Sequence, residues 1–250
     1  MYNLQDMIDS DFDGIYNNVF IVGDIVGVEG EGIYSGIRQK LVLIKTTRKG
    51  SKSHYVTVIL PHCESTEKLI RNRTKVMITG KIDASFTFNT QNVKHMFIKP
   101  YGIKELPRDF SIEDTGEFYI DYTIYNRVIL EGEVVGTPTK KLIKSSGLYL
   151  YKFKIKFLGE GNKYRTANCT LWETVKDNVN IKEGLNIRII SCLSVNSDNI
   201  ISIDDSIKKG QDTNIENNSN TFYNYYNLIV QKIYDLDKVP DNIVRRLYNI

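Results

Sequence analysis

Three lysines occupy alternate positions, Lys152, Lys154 and Lys156, in the segment LYKFKIKF (Leu150 to Phe157), and the chain's only tryptophan, Trp172, lies a short way beyond them. A row of ammonium groups neutralises phosphate, and an indole offers a flat face on which any nucleobase stacks, at roughly 1–3 kcal/mol per base. Residues two apart on a strand stand roughly 6–7 Å from one another, so the three lysines could follow one extended phosphate backbone. The alternatives are that the lysines form a solvated sheet face and that the tryptophan caps the end of its strand.

Catalysis has weaker support. The histidines His54, His62 and His95 are not spaced as metal ligands, the cysteines Cys63, Cys169 and Cys192 form no CxxC pair, and no HExxH, Walker or nucleophile-elbow motif occurs. The chain is therefore expected to be no enzyme and to use no metal or cofactor, with Cys169 a small core residue. The glycine-rich stretch from Gly27 to Gly36 follows a strand instead of opening a helix, so it reads as a loop and not a dinucleotide site.

The elements that must position these residues appear in the sequence twice. NRVILEGEVVG (Asn126 to Gly136) echoes NNVFIVGDIVG (Asn17 to Gly27), His54 to Leu60 falls beside Arg165 to Leu171, and Lys75 to Gly80 falls beside Asn186 to Ser191. A period near 110 residues is too long for a solenoid repeat and suits a duplicated small domain. Apolar and polar residues alternate through each copy, the signature of half-buried strands. Only Glu64 to Asn72 and Glu173 to Val179 read as helix, each between a third and a fourth strand. The expected fold is all-β, two tandem OB-fold barrels, each a five-stranded Greek key that commonly binds oligonucleotides.

Alternation also assigns faces. Tyr151, Phe153, Ile155 and Phe157 share one face of their strand and are expected to fill the barrel, which turns Lys152, Lys154 and Lys156 outward. On the next strand Ala167, Cys169 and Leu171 point inward, leaving Thr166, Asn168, Thr170 and Trp172 outside. In the first copy the outward positions are Tyr55, Thr57, Ile59 and Pro61, and Leu41 and Leu43 stand where lysine might be expected, so part of that outer face is expected to pack against another barrel. The hairpin Ala84 to Lys94 carries Phe86 and Phe88, which suit either wrapping a single strand or filling a core.

The net charge of +3 says little, but its distribution says more. Lys140, Lys141, Lys144, Lys152, Lys154, Lys156, Lys163 and Arg165 lie in a stretch whose only acid is Glu160, and a smaller cluster gathers Arg38, Lys40, Lys45, Arg48, Lys49 and Lys52. The connector Glu105 to Asp121 is acidic. Basic strands with acidic connectors point to a cationic track and a polyanionic ligand. The first sixteen residues hold four aspartates and no basic residue, unlike a secretory signal, and no apolar run approaches the roughly 20 residues of a membrane span, so a cytoplasmic protein is expected.

NRVILEGEVVGTP, the alternating strand, CTLWETV and KEGLNIRI together resemble the bacterial single-stranded DNA-binding protein family in its duplicated-domain form. The resemblance covers Asn126 to about Lys208 well and Asn17 to about Leu106 more weakly. It implies that Trp172, as the outward aromatic ending the third strand, stacks on bases. The family's second stacking position falls on Thr166, whereas in the first copy Tyr55 fills that position and Pro61 replaces the tryptophan. The family usually ends in an acidic peptide. This chain instead carries Phe222, Tyr225, Tyr226, Ile229, Ile233 and Leu236 at helical spacing, then a second short helix over Asn242 to Ile250 after Val239-Pro240. That helical tail would dock on the barrels, pair two chains or engage replication or repair proteins.

The sequence thus divides into an extension (1–16), a first barrel (17–106), an acidic linker (107–125), a second barrel (126–209), and a polar linker with a helical tail (210–250). The expected function is binding of single-stranded DNA with little sequence preference, in replication, recombination or repair, by a homodimer. The candidate contacts are Trp172, Lys152, Lys154, Lys156, Lys140, Lys141, Lys144 and Arg165, with Tyr55, Phe86, Phe88, Arg38, Lys45 and Arg48 in the first copy. The alternative is a protein-interaction module of a replication-restart or mobile-element complex in which nucleic acid is secondary. Single-stranded RNA is a third possibility, since stacking does not separate the two sugars.

Overall fold

The computed structural model describes residues 17–46, 54–88, 91–110, 126–175, 179–195 and 226–238. Ten strands and one α-helix form two successive groups. The first is β1 (Asn17–Tyr34), β2 (Ile37–Thr46), β3 (His54–Pro61), α1 (Glu64–Arg71), β4 (Lys75–Phe88) and β5 (Gln91–Leu106); the second is β6 (Asn126–Ile143), β7 (Leu148–Leu158), β8 (Tyr164–Trp172), β9 (Asn186–Val195) and β10 (Tyr226–Asp235). The pairings run β1-β2-β3-β5-β4 and back to β1, and then β6-β7-β8-β10-β9 and back to β6. Each group therefore closes into a ring of five strands, which leaves its inward residues dry and its outward residues free for other work.

The residues that repeat in sequence do the same jobs in both rings. Asn17 clamps Ile82, donating from Nδ2 to its carbonyl at 2.8 Å and accepting its N–H at Oδ1 at 2.9 Å. Asn126 clamps Leu193 in the same way, at 2.7 and 2.9 Å. Both asparagines are buried, and a buried amide satisfied on both sides fixes where the first strand of each ring meets the fourth. Gly23 and Gly132 pass so close to the carbonyls of Lys45 and Lys156 that no Cβ would fit. These shared constraints explain why the opening strands kept their asparagine and glycine while other residues diverged.

The two rings meet through those same strands. β1 pairs antiparallel with β6, and Val19 lies opposite Val128, its own counterpart in the repeat, with Asn17 opposite Leu130 and Ile21 opposite Asn126. Pairing that is symmetric about equivalent residues makes the chain a covalent counterpart of a two-fold dimer. Away from that axis the halves are unlike, and β3 of the first ring approaches β9 of the second. The outward residues Phe20, Val22, Ile190 and Cys192 are all buried.

The inward positions follow the alternation. Phe153, Ile155, Phe157, Ala167, Cys169 and Leu171 are buried in the core, with Tyr151 packed at its edge, and Val42, Ile44, Val56, Val58 and Leu60 fill the first ring. Burial of side chains of this size contributes about 1.5–3 kcal/mol each. Burial alone pushes the Cys169 thiol far up, as expected of an inert core cysteine.

Four local expectations are corrected. Tyr226–Asp235 is a strand and not a helix, running antiparallel to β9 and parallel to β8. It is the fifth strand of the second ring, so that ring extends past residue 209. Its buried residues are Leu228, Val230, Ile233 and Asp235, because an irregularity between Val230 and Lys232 shifts the two-residue alternation by one; of the residues read at helical spacing only Ile233 is among them. The rest of the expected tail, with its second helix, lies outside the described residues. After β8 the residues Glu173–Val175 form a 3-10 turn where the helix Glu173 to Val179 was expected to begin, and 176–178 lie outside the described residues. The expected helix between β3 and β4 does form, as α1. The glycine-rich Gly27 to Tyr34 is not a loop but the far half of β1, turning only at Ser35 and Gly36. Arg165, read as part of the cationic track, is committed elsewhere.

Arg165 belongs to a charged clasp between the rings. Its Nε donates to Oδ1 of Asp83 at 2.7 Å, and the Asp83 side chain has no exposure to solvent. The Tyr34 hydroxyl lies between Asp83 and Glu160, and Glu160 is paired in turn with the Lys99 ammonium. One hydroxyl proton serves one carboxylate at a time, so the two cations are what neutralise the pair of acids. Burial, then the hydrogen bonds to Asp83 and Glu160, push the Tyr34 phenol well above its ordinary value. Burial alone would raise the Glu160 carboxyl, but Lys99 and the Tyr34 hydroxyl outweigh it and hold it below the usual carboxylate range. A carboxyl lowered in the folded state stabilises above its unfolded pKa and loses that contribution as pH falls through the folded one, so the clasp is intact at neutral pH and weakens in acid. Replacing Asp83 by alanine strands the largely buried Arg165 and is expected to cost about 3–5 kcal/mol in urea denaturation. The double variant Asp83→Leu with Arg165→Met should cost clearly less than the sum of the single changes, and an additive result would show that the pair is not coupled.

Candidate nucleic-acid interface

The register of β7 against β8 sets out the outer face of the second ring. Leu150 lies opposite Trp172, Lys152 opposite Thr170, Lys154 opposite Asn168, and Lys156 opposite Thr166. Opposed residues share a face, so the three lysines and the indole stand together on one surface. Lys152 and Lys154 are exposed and make no ion pair among the described residues. Lys156 is half-buried and bonded to Glu133 at 2.7 Å, which raises its pKa and keeps it charged. Trp172 is half-buried at the end of β8.

The β6–β7 hairpin extends this surface. Lys140 bonds Glu173, next to Trp172, at 2.9 Å, and its Nζ stands 3.8 Å from the centre of the Tyr149 ring and 5.3 Å from that of Tyr151. Lys141 and Lys144 are exposed toward the hairpin tip. β10 closes the other side, with the Asn227 amide bonded to the Thr170 hydroxyl. By register Lys141, opposite Leu150, shares this face, whereas Lys140, opposite Tyr151, has the other parity; the face thus carries Lys141, Lys152 and Lys154, which make no ion pair among the described residues, Lys156 held by Glu133, and an indole at one end. Arg165, although close in sequence, points into the clasp.

The first ring carries the same register with different residues. Leu41 lies opposite Ile59, Leu43 opposite Thr57, Lys45 opposite Tyr55, and Gln39 opposite Pro61. Each of these positions is 111 residues before its counterpart in the second ring, so Leu41 and Leu43 replace Lys152 and Lys154. Both leucines are only 5% exposed, and Leu41 packs with Tyr34, Ile59 and Phe97 in a second small core outside the ring. Tyr34 meets Phe97 edge to face, with centroids 5.0 Å apart. Tyr55 and Lys45 are half-buried at the margin of this apolar face, and Arg38 is exposed but paired with Glu31 at 2.9 Å. Phe86 and Phe88 sit on β4 near its hairpin with β5, opposite Val93 and Gln91, and their side chains lie outside the described residues, as does Arg48 altogether.

The structure therefore brings together Lys141, Lys152, Lys154, Lys156 and Trp172 on one face, sets Lys140 on the other parity of its strand beside Tyr149 and Tyr151, and leaves the candidates of the first ring dispersed. Sequence reasoning missed Tyr164, which is exposed on the same outward row of β8, because the strand was taken to start at Arg165. It also missed Tyr34, Asp83, Lys99 and Glu160, which come together only in three dimensions. Among the described residues no group of histidine, cysteine and carboxylate side chains could hold a metal, and no helix is long and apolar enough to cross a membrane.

No family model matches the sequence, and no curated protein matches it. Solved structures do match. A deletion variant of the single-stranded DNA-binding protein from Thermus aquaticus aligns over 91% of this chain and 98% of its own, with a TM-score of 0.55 and 13% identity. The wild-type form of that protein aligns over 91% of this chain and 96% of its own, with a TM-score of 0.52 and 12% identity. At such low identity the likeness is one of fold, extending over nearly the whole of both chains.

The unequal faces make a stability prediction. Lys152→Leu and Lys154→Leu, which copy the first ring, should change stability by no more than about 0.5 kcal/mol, since both sites are exposed. Leu41→Lys and Leu43→Lys would bury an unpaired ammonium and should each cost several kcal/mol in urea denaturation. Equal costs in the two rings would contradict the assignment of faces. A second expectation concerns Cys63, the exposed residue preceding α1. Hydrogen bonds from Ser65 and Thr66 lower its thiol to about 7. Ellman's reagent should modify one thiol per native chain with a midpoint near that pH, and Cys169 and Cys192 only after unfolding.

Proposed function

We propose that this chain is a tandem pair of OB barrels, 17–110 and 126–238, that binds single-stranded DNA without base specificity through the outer face of the second barrel. The observation that carries this reading is the row of exposed lysines on β7 ending beside an outward indole on β8, on a surface that the equivalent strands of the first barrel do not share. Lys141, Lys152 and Lys154 contact phosphate, Lys156 adds charge where Glu133 yields it, and Trp172 stacks on a base. The fold of the solved Thermus aquaticus protein, whose name states single-stranded DNA binding, supports the same reading. The chemistry needs no reaction, so the protein acts as a binder and not an enzyme. Its setting in replication, recombination or repair, a homodimeric state and a cytoplasmic location follow from the sequence resemblance.

The first barrel has a different task in this scheme. Its outer face is apolar and buried where the second is basic and exposed, so one chain carries one track. Its clasp residues Tyr34, Asp83 and Lys99 hold the β7–β8 hairpin of the second barrel.

The test is titration with oligo-dT, read by Trp172 fluorescence. Quenching should be strong and should fall steeply with salt, because each displaced counterion adds to the slope. Lys152→Ala with Lys154→Ala should flatten that slope by about 1.4, whereas Trp172→Ala, followed by anisotropy of a labelled oligonucleotide, should weaken binding by about 1–3 kcal/mol with the slope intact. Weak quenching with little salt dependence would contradict the reading and favour the protein-interaction alternative.

A further inference from the structure

Tyr164 is the most exposed large aromatic or aliphatic residue among those described, at 68%, and it opens β8 opposite Leu158, itself 48% exposed. Two such neighbours on a surface are a cost in water unless something covers them in use. Tyr164 also has the outward parity of Thr166, Asn168, Thr170 and Trp172, so it lies in the same row as the indole and eight residues from it. At about 3.3 Å per residue the two rings are separated by about 26 Å. Lys152, Lys154 and Lys156 stand alongside that interval on β7. The Lys156 ammonium is 5.2 Å from the centre of the Tyr164 ring, which links the last cation of the row to the second aromatic.

The position of Tyr164 is also fixed from outside its own ring of strands. It follows a tight hairpin in which the Gly159 N–H bonds the Lys163 carbonyl at 2.8 Å. Glu160, on one side of it, is held by Lys99 and Tyr34, and Arg165, on the other, is held by Asp83. All three anchors belong to the first half of the chain. An exposed aromatic held between anchors at Glu160, four residues before it, and Arg165, just after it, loses little freedom when a ligand stacks on it, which is what a pre-organised binding surface needs.

We propose that Tyr164 is a second stacking platform, so that the track runs from Trp172 to Tyr164 with lysines along it, and that the first half of the chain serves binding by holding the Tyr164 end in place. This inference rests on the single-stranded nucleic-acid reading and sets the length of its track. A strand must reach both rings to gain the full affinity, and strands that reach only one gain less. OB folds occupy about 4–16 nucleotides, which brackets the span.

The experiment compares the full chain with Tyr164→Ala and Tyr164→Phe, titrated with oligo-dT of about 4 and about 16 nucleotides at one salt concentration. Trp172 quenching is the readout. Tyr164→Ala should weaken the longer oligonucleotide by roughly 5- to 150-fold and leave the shorter one, seated at Trp172, unchanged. Tyr164→Phe keeps the ring and should behave as the unaltered chain with both. Binding of the longer strand by Tyr164→Ala within twofold of the unaltered chain would overturn the proposal while leaving the function standing. Equal weakening of both lengths would overturn it too, by showing a general effect on the ring. If the unaltered chain shows no quenching with either length, the nucleic-acid reading itself fails and this inference falls with it.

Discussion

A side chain on a strand of a closed five-stranded ring can point only inward or outward, and alternate residues must choose opposite ways. Everything distinctive about this molecule follows from what the outward half of that alternation carries. Phe153, Ile155 and Phe157 must fill the second ring, so Lys152, Lys154 and Lys156 have no choice but to leave it. The first ring obeys the same register with Leu41 and Leu43 in the corresponding places, and its outward face is therefore covered. Two units of one architecture thus present one basic, exposed face and one apolar, covered face, while the inward residues of both stay apolar.

Duplication explains how the two halves came to meet and where they differ. The asparagine clamps and the glycine crossings are shared, and they fix the first strand of each ring against its fourth and second neighbours. The β1–β6 pairing, symmetric about Val19 and Val128, joins the halves as two equal partners would join. The clasp is built on the opposite principle, since Tyr34, Asp83 and Lys99 come from one half and Glu160 and Arg165 from the other. A charge network this buried contributes less to stability than its distances suggest, because each ion gives up its hydration. Its contacts join the first half of the chain to Glu160 and Arg165, on either side of the turn that precedes β8.

The repeat and the faces of β7 and β8 were legible in the sequence, because strand periodicity is local and the echo of NNVFIVG in NRVILEG spans a whole strand. The fifth strand of the second ring was not. It follows the segment 196–225, and a register shift near Gln231 breaks its alternation, so no continuous period of two marks it as a strand; only the need of β8 and β9 for a closing neighbour identifies it. Arg165 was misjudged because charge in a cationic run carries no direction: it has the inward parity of its strand, at the very end, where inward means toward Asp83. Tyr34, Asp83 and Glu160 gave no signal, since a tyrosine and two acids from three separate segments acquire meaning only when folding brings them together. The apolar outer face of the first ring could be foreseen from Leu41 and Leu43, but not the packing of Leu41 with Phe97 and Tyr34.

The most direct measurement is chemical footprinting of lysines in the full chain, with and without oligo-dT. An amine-reactive acetylating reagent followed by mass spectrometry reports each side chain separately. Lys152 and Lys154 should be strongly protected by the oligonucleotide, while the exposed Lys68, Lys104 and Lys182, which lie off the lysine row, should react as before. Uniform protection of all five, or protection confined to the first half of the chain, would contradict the account.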